Sequence, residues 1–328
     1  MTIVIRNQMT IVTKNIQKAG NELNRGHVIA IPTETVYGLA ASIYNENAIE
    51  AIFKIKERPN NNPLIVHIKS INQLTDIATN IPESALKLAN HFWPGPLTLI
   101  LKKQSKISNL ITAGKNTVAV RVPDHPITQE LLNYIDYPIA APSANPFGSI
   151  SPTCSKHVLD YFNDKIKLIL DGGNCTKGIE STIIGFENET PILFRHGALS
   201  INNIEKIVGP VKIITNDNHT PDAPGMFSRH YAPKTKAYLV DNVTEHLKSV
   251  NEKKIGILSF NNAISTHNKN IQFVLSPKGD YNEAAKNLYD YLHQLDKLNL
   301  DLILIEKLPD FNLGKSINDR LIRAVTEI

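Results

Sequence analysis

Short apolar runs alternate with amphipathic stretches along most of this chain. The runs that predict strands in its first two thirds are HVIAIPT, PLIVHI, PLTLILK, TVAVRV, YPIAAPS, IKLILDGG and STIIGF. Between them, residues 47–56 and 82–93 have the spacing of amphipathic helices. Because strands and helices alternate, the pattern predicts an α/β fold.

The predicted helix over residues 47–56 places two cations at its end. Its apolar face also carries a lysine and consists of Ile49, Ile52, Phe53 and Lys56. Pro59 prevents the helix from continuing, so Lys56 and Arg58 lie at its C-terminal edge. Cations at this position stabilise a helix by about 0.3–1 kcal/mol, which leaves a structural role open for both. The asparagines of the following NNNP loop favour a second role, in a crevice at the sheet edge.

The periodic pattern stops at about residue 215 and returns after residue 234. The intervening segment is rich in turn formers and has three prolines within residues 221–233. It predicts a linker that divides the chain into three parts: a larger domain over residues 1–214, the linker over residues 215–235, and a smaller domain over residues 236–328.

The smaller domain repeats the alternation of strands and helices. Its predicted strands are KAYLV, KIGILSF, IQFVL and LDLILIE. A helix is predicted over residues 281–298, with one apolar face formed by Ala284, Ala285, Leu288, Tyr291, Leu292 and Leu295. The pattern predicts a second, Rossmann-like α/β domain.

Composition and charge narrow the class of protein. The 328 residues are 42% hydrophobic and 20% charged, with a formal net charge of +4. A positive net charge is compatible with anionic partners such as nucleotides or RNA, but it does not identify one. No apolar run of about 18 residues and no secretory signal pattern occur, which predicts a cytoplasmic protein without a membrane span. Cys154 and Cys175 lie far apart and are expected to be buried or idle thiols rather than metal ligands.

The common phosphate-binding and hydrolase fingerprints do not match. ITAGKNT has Asn116 where a P-loop needs serine or threonine, and it lacks the first glycine of that motif. LDGGNCTKG does not have the spacing of a dinucleotide-binding loop. Neither a G-x-S-x-G elbow nor an H-E-x-x-H helix is present, which argues against a serine hydrolase and a zincin.

Polar clusters recur directly after the apolar runs. They are PTETVYGLA, RVPDHP, APSANPFGSISPT, KGIESTII and FRHGAL. Each serine or threonine in them also fits a turn or a helix cap, but the number of clusters favours a shared site. Pooled at one end of a sheet, they would line a crevice with Thr33, Thr35, Arg121, Ser143, Asn145, Ser151, Ser181, Thr182 and Arg195.

The clusters lack an obvious pair of catalytic carboxylates. Glu34 is the carboxylate of the first cluster, and Asp124 is equally well placed to cap the helix that begins near Pro126. Cations and hydroxyls without a nucleophile suit chemistry in which a transferring phosphate is positioned and its charge neutralised. This composition predicts nucleotidyl transfer.

These motifs, in this order, resemble the threonylcarbamoyl-AMP synthase family. The segments PTETVYGLA, KxRP with NPLIVH, WPGPLT, AVRVPDHP, PIAAPSAN, SPT and ESTI resemble family motifs over residues 11–210. APGMFSRHYAP and GKSINDRLIRA resemble the extension of the longer members. The resemblance implies a YrdC-like twisted, open, mixed sheet with helices, followed by a smaller α/β domain.

The resemblance also implies a reaction. A nucleotidyltransferase of this family forms threonylcarbamoyl-AMP and pyrophosphate from L-threonine, bicarbonate and ATP, with Mg²⁺. The product serves tRNA modification, in which a partner enzyme moves the threonylcarbamoyl group to an adenosine beside the anticodon.

Carried over residue by residue, the resemblance assigns two sets of contacts. The L-threonine pocket falls on Thr35, His67, Arg121, Ala141 and Ser181. The ATP contacts fall on Lys56, Arg58, Asn62, Thr117, Ser143, Asn145, Ser151, Arg195, His230 and Tyr231. Lys56 and Arg58 are the expected catalytic cations, since they can spread triphosphate charge, and Arg121 can bind a carboxylate through two hydrogen bonds. His67 also fits a hydrogen-bonded core histidine, which stays an alternative.

The linker is expected to act as a lid over the nucleotide. Met226, Phe227, Arg229, His230 and Tyr231 are an unusual set for an inert spacer, because spacers tend to be polar and small. Side chains that pack on a base or meet phosphates would exclude water from a hydrolysable adenylate. The alternative is a strap packed permanently on the larger domain.

Two other functions are weighed against the synthase. A non-catalytic protein that binds double-stranded RNA or tRNA would use the basic crevice without chemistry, but such proteins usually show clustered cations or stacking aromatics. This chain has 6% aromatic residues and dispersed cations. The carbamoyl transferase of hydrogenase maturation also contains a YrdC-like domain, but it needs zinc-finger cysteines that two thiols cannot supply.

Overall fold

The computed structural model describes residues 9–213, 230–250, 254–265 and 270–325. Two sheets organise these residues, one with 11 strands and one with 4. In the described part of the chain, no helix combines the length and the apolarity that crossing a membrane requires. Cys154 and Cys175 are free thiols, the first half-buried and the second buried.

The larger sheet is mixed and open. Its strands are β1 (Ile11–Thr13), β2 (Ile29–Ile31), β3 (Gly38–Ser42), β4 (Ile65–His67), β5 (Leu97–Lys102), β6 (Thr117–Arg121), β7 (Ile139–Ala140), β8 (Leu168–Leu170), β9 (Thr182–Glu187), β10 (Thr190–Arg195) and β11 (Lys212–Ile213). Their order across the sheet is β1-β8-β2-β3-β7-β4-β6-β5-β9-β10-β11. Parallel pairs such as β4 with β6 stand beside antiparallel pairs such as β5 with β6, as the sequence predicts.

Helices cover this sheet and bury its apolar residues. They are α1 (Ile16–Asn24), α2 (Glu46–Lys56), α3 (Leu74–Ile77), α4 (Glu83–Phe92), α5 (Asn109–Thr112), α6 (Pro126–Ile135), α7 (Ser155–Phe162) and α8 (Ile201–Val208). The two helices predicted at residues 47–56 and 82–93 are α2 and α4. The largest core cluster joins α2 and α4 to the central strands through residues such as Ile52, Leu88 and Val120.

The local sequence explains how α2 delivers its cations to the sheet edge. The Asn45 side chain caps the first turn by accepting a hydrogen bond from the Ala48 N–H at 3.0 Å. At the other end Glu57 adopts a left-handed conformation with φ of 55°, which ends the helix before Pro59. Lys56, the last residue of the apolar face, is 1% exposed.

The smaller sheet is parallel throughout. Its strands β12 (Ala237–Val240), β13 (Ile255–Ser259), β14 (Ile271–Val274) and β15 (Leu302–Glu306) follow the order β12-β15-β13-β14. Helices α9 (Val243–His246), α10 (Tyr281–Asp296) and α11 (Gly314–Ala324) accompany them. The sheet and its helices confirm the second, smaller α/β unit that the sequence predicts.

One detail of α10 differs from the sequence prediction. Tyr291, expected in the core, is only half-buried and stacks on Phe273 at 4.9 Å. Tyr289 and His293 are buried instead. The reason is that α10 packs on its own sheet and also on the larger unit, so it has a second buried face that a single apolar stripe does not reveal.

The two units share a continuous core. Val36, Ile150 and Ile179 of the larger unit belong to the same cluster as Leu288 of α10 and Ile317 of α11. Residues 214–229, which include Met226, Phe227 and Arg229 of the predicted lid, lie outside the described residues. The domain boundaries at 214 and 235 therefore stay predictions.

Candidate active site

A cavity opens where β4 and β6 end, beside the loops that carry the polar clusters of the sequence. His67 and Arg121 are register partners at the ends of these parallel strands, so their side chains reach the same edge of the sheet. The predicted site residues that line the cavity are Thr35, Arg58, His67, Arg121, Ala141, Ser143, Ser181, Arg195, His230 and Tyr231. Most of the predicted site is thus brought together.

Arg121 is held rigidly by three neighbours. Its Nη1 donates to Thr35 Oγ1 at 2.9 Å, and its Nε donates to the Gly95 carbonyl at 3.1 Å. Its Nη2 forms an ion pair with Glu34 Oε1 at 2.6 Å. Arg121 and Glu34 are both buried. The guanidinium is therefore fixed in orientation before any substrate arrives, which favours recognition of a planar anion such as a carboxylate.

His67 fits both alternatives that the sequence leaves open. It lines the cavity, and its Nδ1 lies 3.3 Å from the Ile65 carbonyl within a buried strand. Burial, with the charge of Arg121, lowers the pKa of His67 to about 3. The imidazole is neutral at physiological pH, and with Nδ1 donating to Ile65 its Nε2 is a hydrogen-bond acceptor.

We expect the buried histidines to make the protein acid-sensitive. His67 and His293 both have pKa values lowered to about 3, against 6.5 for the ordinary side chain. As pH falls through 6.5, these histidines bind protons in the unfolded chain but not in the folded chain. Their contribution to stability is therefore fully present above pH 6.5 and is lost progressively below it. Each histidine contributes at most about 1.4 kcal/mol per pH unit to the change of the free energy of unfolding with pH.

Urea unfolding of wild type and His67→Gln between pH 7 and pH 4.5 measures this change for His67. An equal slope in both proteins would show that folded His67 accepts a proton in this range.

Lys56 forms hydrogen bonds to the loop that follows β7. Its Nζ donates to the carbonyl oxygens of Ser143 and Asn145, the latter at 2.5 Å. Burial, followed by the charge of Arg58, holds the pKa of Lys56 well below its ordinary value. Lys56 lies behind the cavity lining and orients the Ser143–Asn145 loop, so its predicted contact with ATP stays a prediction.

Arg58 lines the cavity and binds the loop that contains Asn62 and Pro63. Its Nε donates to the Asn62 carbonyl at 3.2 Å, and its Nη2 donates to the Pro63 carbonyl at 2.8 Å. Burial, with a smaller contribution from the charge of Arg195, lowers the pKa of Arg58 to about 9. The Asn62 side chain is fully buried, and neither its oxygen nor its nitrogen has a hydrogen-bond partner among the described residues. Such an amide is well suited to bind a ligand beside Arg58.

The side chains of Asn145 and Ser151 already make hydrogen bonds within the protein. Asn145 Nδ2 donates to the carbonyls of Pro146 and Ser149 at 2.9 and 2.8 Å, while its Oδ1 has no partner in the described ranges. Ser151 Oγ donates to Glu180 Oε1 at 2.6 Å. Ser151 is therefore a support of the cavity wall, and its predicted ATP contact stays untested.

Thr117 is a predicted residue that does not line the cavity. It starts β6, four positions before Arg121, and is exposed. Alternation along the strand places Thr117 and Arg121 on the same face of the sheet. Thr117 lines a separate open cleft with Lys102, Phe186 and Phe194. Its predicted ATP contact stays a prediction.

Arg195 and Ser181 form another part of the cavity wall. Arg195 donates from Nε and Nη2 to the Ser181 carbonyl at 3.2 and 2.9 Å, and from Nη2 to Ser181 Oγ at 3.2 Å. Ser181 Oγ also shares a 2.7 Å hydrogen bond with Thr98 Oγ1. Burial lowers the pKa of Arg195, as it does for Arg58.

His230 and Tyr231 close the cavity from the C-terminal side. Both are buried, and their rings contact each other with centroids 4.1 Å apart. Burial, with the charges of Arg58 and Lys56, keeps the pKa of His230 well below its ordinary value. The His230 N–H donates to the Arg323 carbonyl of α11 at 2.9 Å. These two residues of the predicted linker form a wall of the cavity, while residues 215–229 of the linker are outside the described residues.

Sequence reasoning missed the role of Glu180. This buried carboxylate lines the cavity and binds Tyr289 and Arg320 of the smaller unit. The motifs ESTI and GKSINDRLIRA contain Glu180 and Arg320, so the sequence marked both segments. It gave no sign that the two side chains meet.

Comparison with known proteins agrees with this geometry. The family model described as "Telomere recombination" matches residues 21–197, and the model described as "Threonylcarbamoyl-AMP synthase, C-terminal domain" matches residues 199–326. Among curated relatives, the threonylcarbamoyl-AMP synthase of Pyrococcus abyssi is 40% identical over 99% of this chain and 98% of its own length. That of Bacillus subtilis is 36% identical over 98% and 95%.

The fold has a close match among solved structures. The crystal structure of P. abyssi Sua5 complexed with L-threonine superposes with a TM-score of 0.88 at 37% identity, covering 97% of this chain and 99% of that one. Together with the full-length relatives, this match confirms the predicted fold class and the prediction of a nucleotidyl-transferring enzyme. The chain belongs to the threonylcarbamoyl-AMP synthase family, in its long form with a C-terminal domain.

Proposed function

We propose that this chain condenses L-threonine, bicarbonate and ATP into threonylcarbamoyl-AMP and pyrophosphate, and that the product serves tRNA modification by a partner enzyme. One observation carries the proposal. Buried Arg58 and Arg195 line one cavity, and the residue whose carbonyl Arg58 binds, Asn62, has a fully buried side-chain amide without a partner among the described residues. Burial, with the charge of Arg195, lowers the pKa of Arg58, and burial, with the charges of Arg58, Lys56 and Arg195, lowers the pKa of His230. A polyanion such as a triphosphate would relieve this repulsion.

The two ends of the cavity suit the two larger substrates. At one end Arg121, oriented by Glu34 and Thr35, takes the carboxylate of L-threonine through two hydrogen bonds. Neutral His67 accepts a hydrogen bond from the amino group of the substrate. At the other end Arg58 and Arg195 bind the phosphates of ATP. The amine and the α-phosphate are thereby held within one enclosed space.

The reaction needs positioning more than an enzyme nucleophile. The amine of threonine combines with the carbon of bicarbonate to give a carbamate and water. A carbamate oxygen then attacks the α-phosphorus, and pyrophosphate leaves. The described hydrogen bonds join no cavity hydroxyl to His67 or His230, so no activated serine is apparent in the described lining. Electrostatic stabilisation of the phosphates is the contribution expected from Arg58 and Arg195.

The expected Mg²⁺ finds no resident site among the described residues. No group of three or more histidine, cysteine or acidic side chains is suitably placed in the described ranges. Glu180, which lines the cavity, and Glu34, which stands between the lining residues Thr33 and Thr35, are each paired with an arginine. We therefore propose that Mg²⁺ enters as the counter-ion of ATP, without a dedicated ligand set from the described residues.

RNA binding without chemistry fits the site poorly. Arg58, Arg121 and Arg195 are between 4% and 7% exposed. Phosphates of an RNA backbone need cations on an accessible surface. The cations of this cavity can meet only a small anion that enters it.

Pyrophosphate release tests the proposal directly. With L-threonine, bicarbonate, ATP and Mg²⁺ present we expect pyrophosphate and threonylcarbamoyl-AMP in equal amounts, because each transfer frees one pyrophosphate. Omitting threonine or bicarbonate should abolish both products. A coupled pyrophosphate assay and mass spectrometry of the adenylate give the measurement. Equal pyrophosphate release without threonine would refute the reaction.

A further inference from the structure

The wall of the cavity beside Ser181 depends on two side chains of the smaller unit. Glu180, 6% exposed, lines the cavity. Its Oε1 accepts the hydrogen bond from Ser151 Oγ at 2.6 Å. Its Oε2 accepts hydrogen bonds from Tyr289 Oη at 2.9 Å and from Arg320 Nε at 3.0 Å. Both carboxylate oxygens are therefore occupied, and Oε2 is held entirely from α10 and α11.

Glu180 places a negative charge in a cavity that must accept an anion. Burial alone would raise the pKa of Glu180, but Arg320 and Arg195 hold it below its ordinary value. The carboxylate is ionised at neutral pH and needs a fixed cation beside it. The other cation that lowers the pKa of Glu180 is Arg195, which belongs to the cavity lining.

Arg320 is fixed by the docking of the smaller unit. Its side chain is fully buried, its Nη1 donates to Asp319 Oδ2 at 2.9 Å, and its guanidinium lies 5.5 Å from the centre of the Tyr231 ring. The helix that carries it packs through Ile317 against the core shared with the larger unit. Arg320 therefore reaches Glu180 only when the two units are assembled.

Two further contacts tie the same wall to the smaller unit. His293 Nε2 of α10 donates to the Ser151 carbonyl at 3.1 Å, and Ser316 Oγ of α11 donates to the Gly197 carbonyl at 2.8 Å. The Ala198 N–H in turn donates to the Glu180 carbonyl at 2.9 Å. Ser151 and Gly197, on two segments that bind Glu180 or its neighbours, are thus hydrogen-bonded to α10 and α11.

We propose that Arg320 and Tyr289 are positioning residues of the active site: they neutralise and orient Glu180, so that its charge does not repel ATP and Ser151 and Ser181 keep their places. The smaller unit is then a part of the active site and more than an anchor for the linker. The inference rests on the proposed function only in taking ATP as the anion that enters the cavity.

Calorimetric titration of ATP, without threonine or bicarbonate, tests the charge compensation. We expect Arg320→Met to weaken ATP binding at least tenfold, because the charge of Glu180 is then uncompensated. Adding Glu180→Gln should restore most of that loss, since it removes the charge itself.

Tyr289→Phe deletes one hydrogen bond and keeps the ring. In steady-state kinetics it should therefore raise KM for ATP several-fold, with a smaller change in kcat.

The matched control is Lys297→Met. Lys297 forms an ion pair with Asp160 across the same two units at 2.5 Å, but it does not touch Glu180. This variant should bind ATP like wild type. Thermal melts check folding, and if Arg320→Met alone does not fold, Tyr289→Phe and the double variant Glu180→Gln/Arg320→Met decide the question.

Two results would overturn the inference. One is a folded Arg320→Met protein with wild-type ATP affinity, and the other is a double variant that binds ATP no better than the single one. If wild type bound ATP but formed no adenylate, the proposed function would fail, while the comparison of Arg320 and Glu180 variants would still be decided by binding. A loss in Lys297→Met equal to that in Tyr289→Phe would reduce Tyr289 to a general interface contact.

Discussion

Replacing Arg58 with alanine is expected to lower kcat/KM for ATP about 100- to 1,000-fold, the effect of removing one preorganised donor to a developing charge. The guanidinium lines the cavity beside the unpartnered amide of Asn62. Its hydrogen bonds to the Asn62 and Pro63 carbonyls also shape this loop, so the free energy of unfolding should fall by about 1–3 kcal/mol. Pyrophosphate assays and urea unfolding of the same preparations separate the two effects.

The control for this prediction is Lys54→Ala. Lys54 is a cation in the last turn of the same helix, and it is exposed. Its removal tests the helix-dipole explanation for the basic residues at this end and should cost only a few tenths of a kcal/mol and no activity. If Arg58→Ala melted far below wild type but turned over normally, Arg58 would be a structural residue and the ATP assignment would be wrong.

The sequence predicted the part of the site that follows from strand ends. His67 and Arg121 each stand one residue before the end of an apolar run, and parallel pairing of β4 with β6 makes them neighbours. Local patterning suffices here because the ends of parallel strands share an edge. Thr117 is assigned by the family resemblance alone, because it stands at the start of β6 and the length of the strand separates it from Arg121; its ATP contact stays a prediction.

The spacing of α2 placed Lys56 on the apolar face of the helix, but it did not identify the protein groups that its ammonium group binds. A lysine on an apolar face needs acceptors once it is buried. The acceptors are the carbonyls of Ser143 and Asn145, close to 90 residues further along the chain. Periodicity reports which face of a helix is covered, while the partner of a buried charge depends on the tertiary fold.

The contacts between the two units were beyond the reach of the sequence. Tyr289, His293 and Arg320 look like ordinary positions of amphipathic helices, and the apolar stripe of α10 selected Tyr291 in place of Tyr289. They are buried because each helix packs on two partners at once. Polar residues on a second buried face cannot be told from solvent-exposed ones by pattern alone.

The second large effect is expected from Arg121→Lys. Lysine retains the charge but not the planar fork that binds Thr35, Gly95 and Glu34 while presenting its remaining N–H groups to a carboxylate. We expect kcat/KM for L-threonine to fall about 100- to 1,000-fold. KM for ATP should change little, because Arg58 and Arg195 bind the phosphates. Steady-state kinetics with each substrate varied in turn gives the measurement.

Thr117→Ala is the companion variant, since Thr117 lies on the same strand and the same face as Arg121 but outside the cavity. It should leave the threonine kinetics unchanged, and a rise in its KM for ATP would confirm the predicted nucleotide contact. An Arg121→Lys enzyme that lost ATP affinity but kept its KM for threonine would reverse the assignment of the two ends of the cavity. The rigid arginine beside His67 would then bind a phosphate, and the amino acid would have to lie between Arg58 and Arg195.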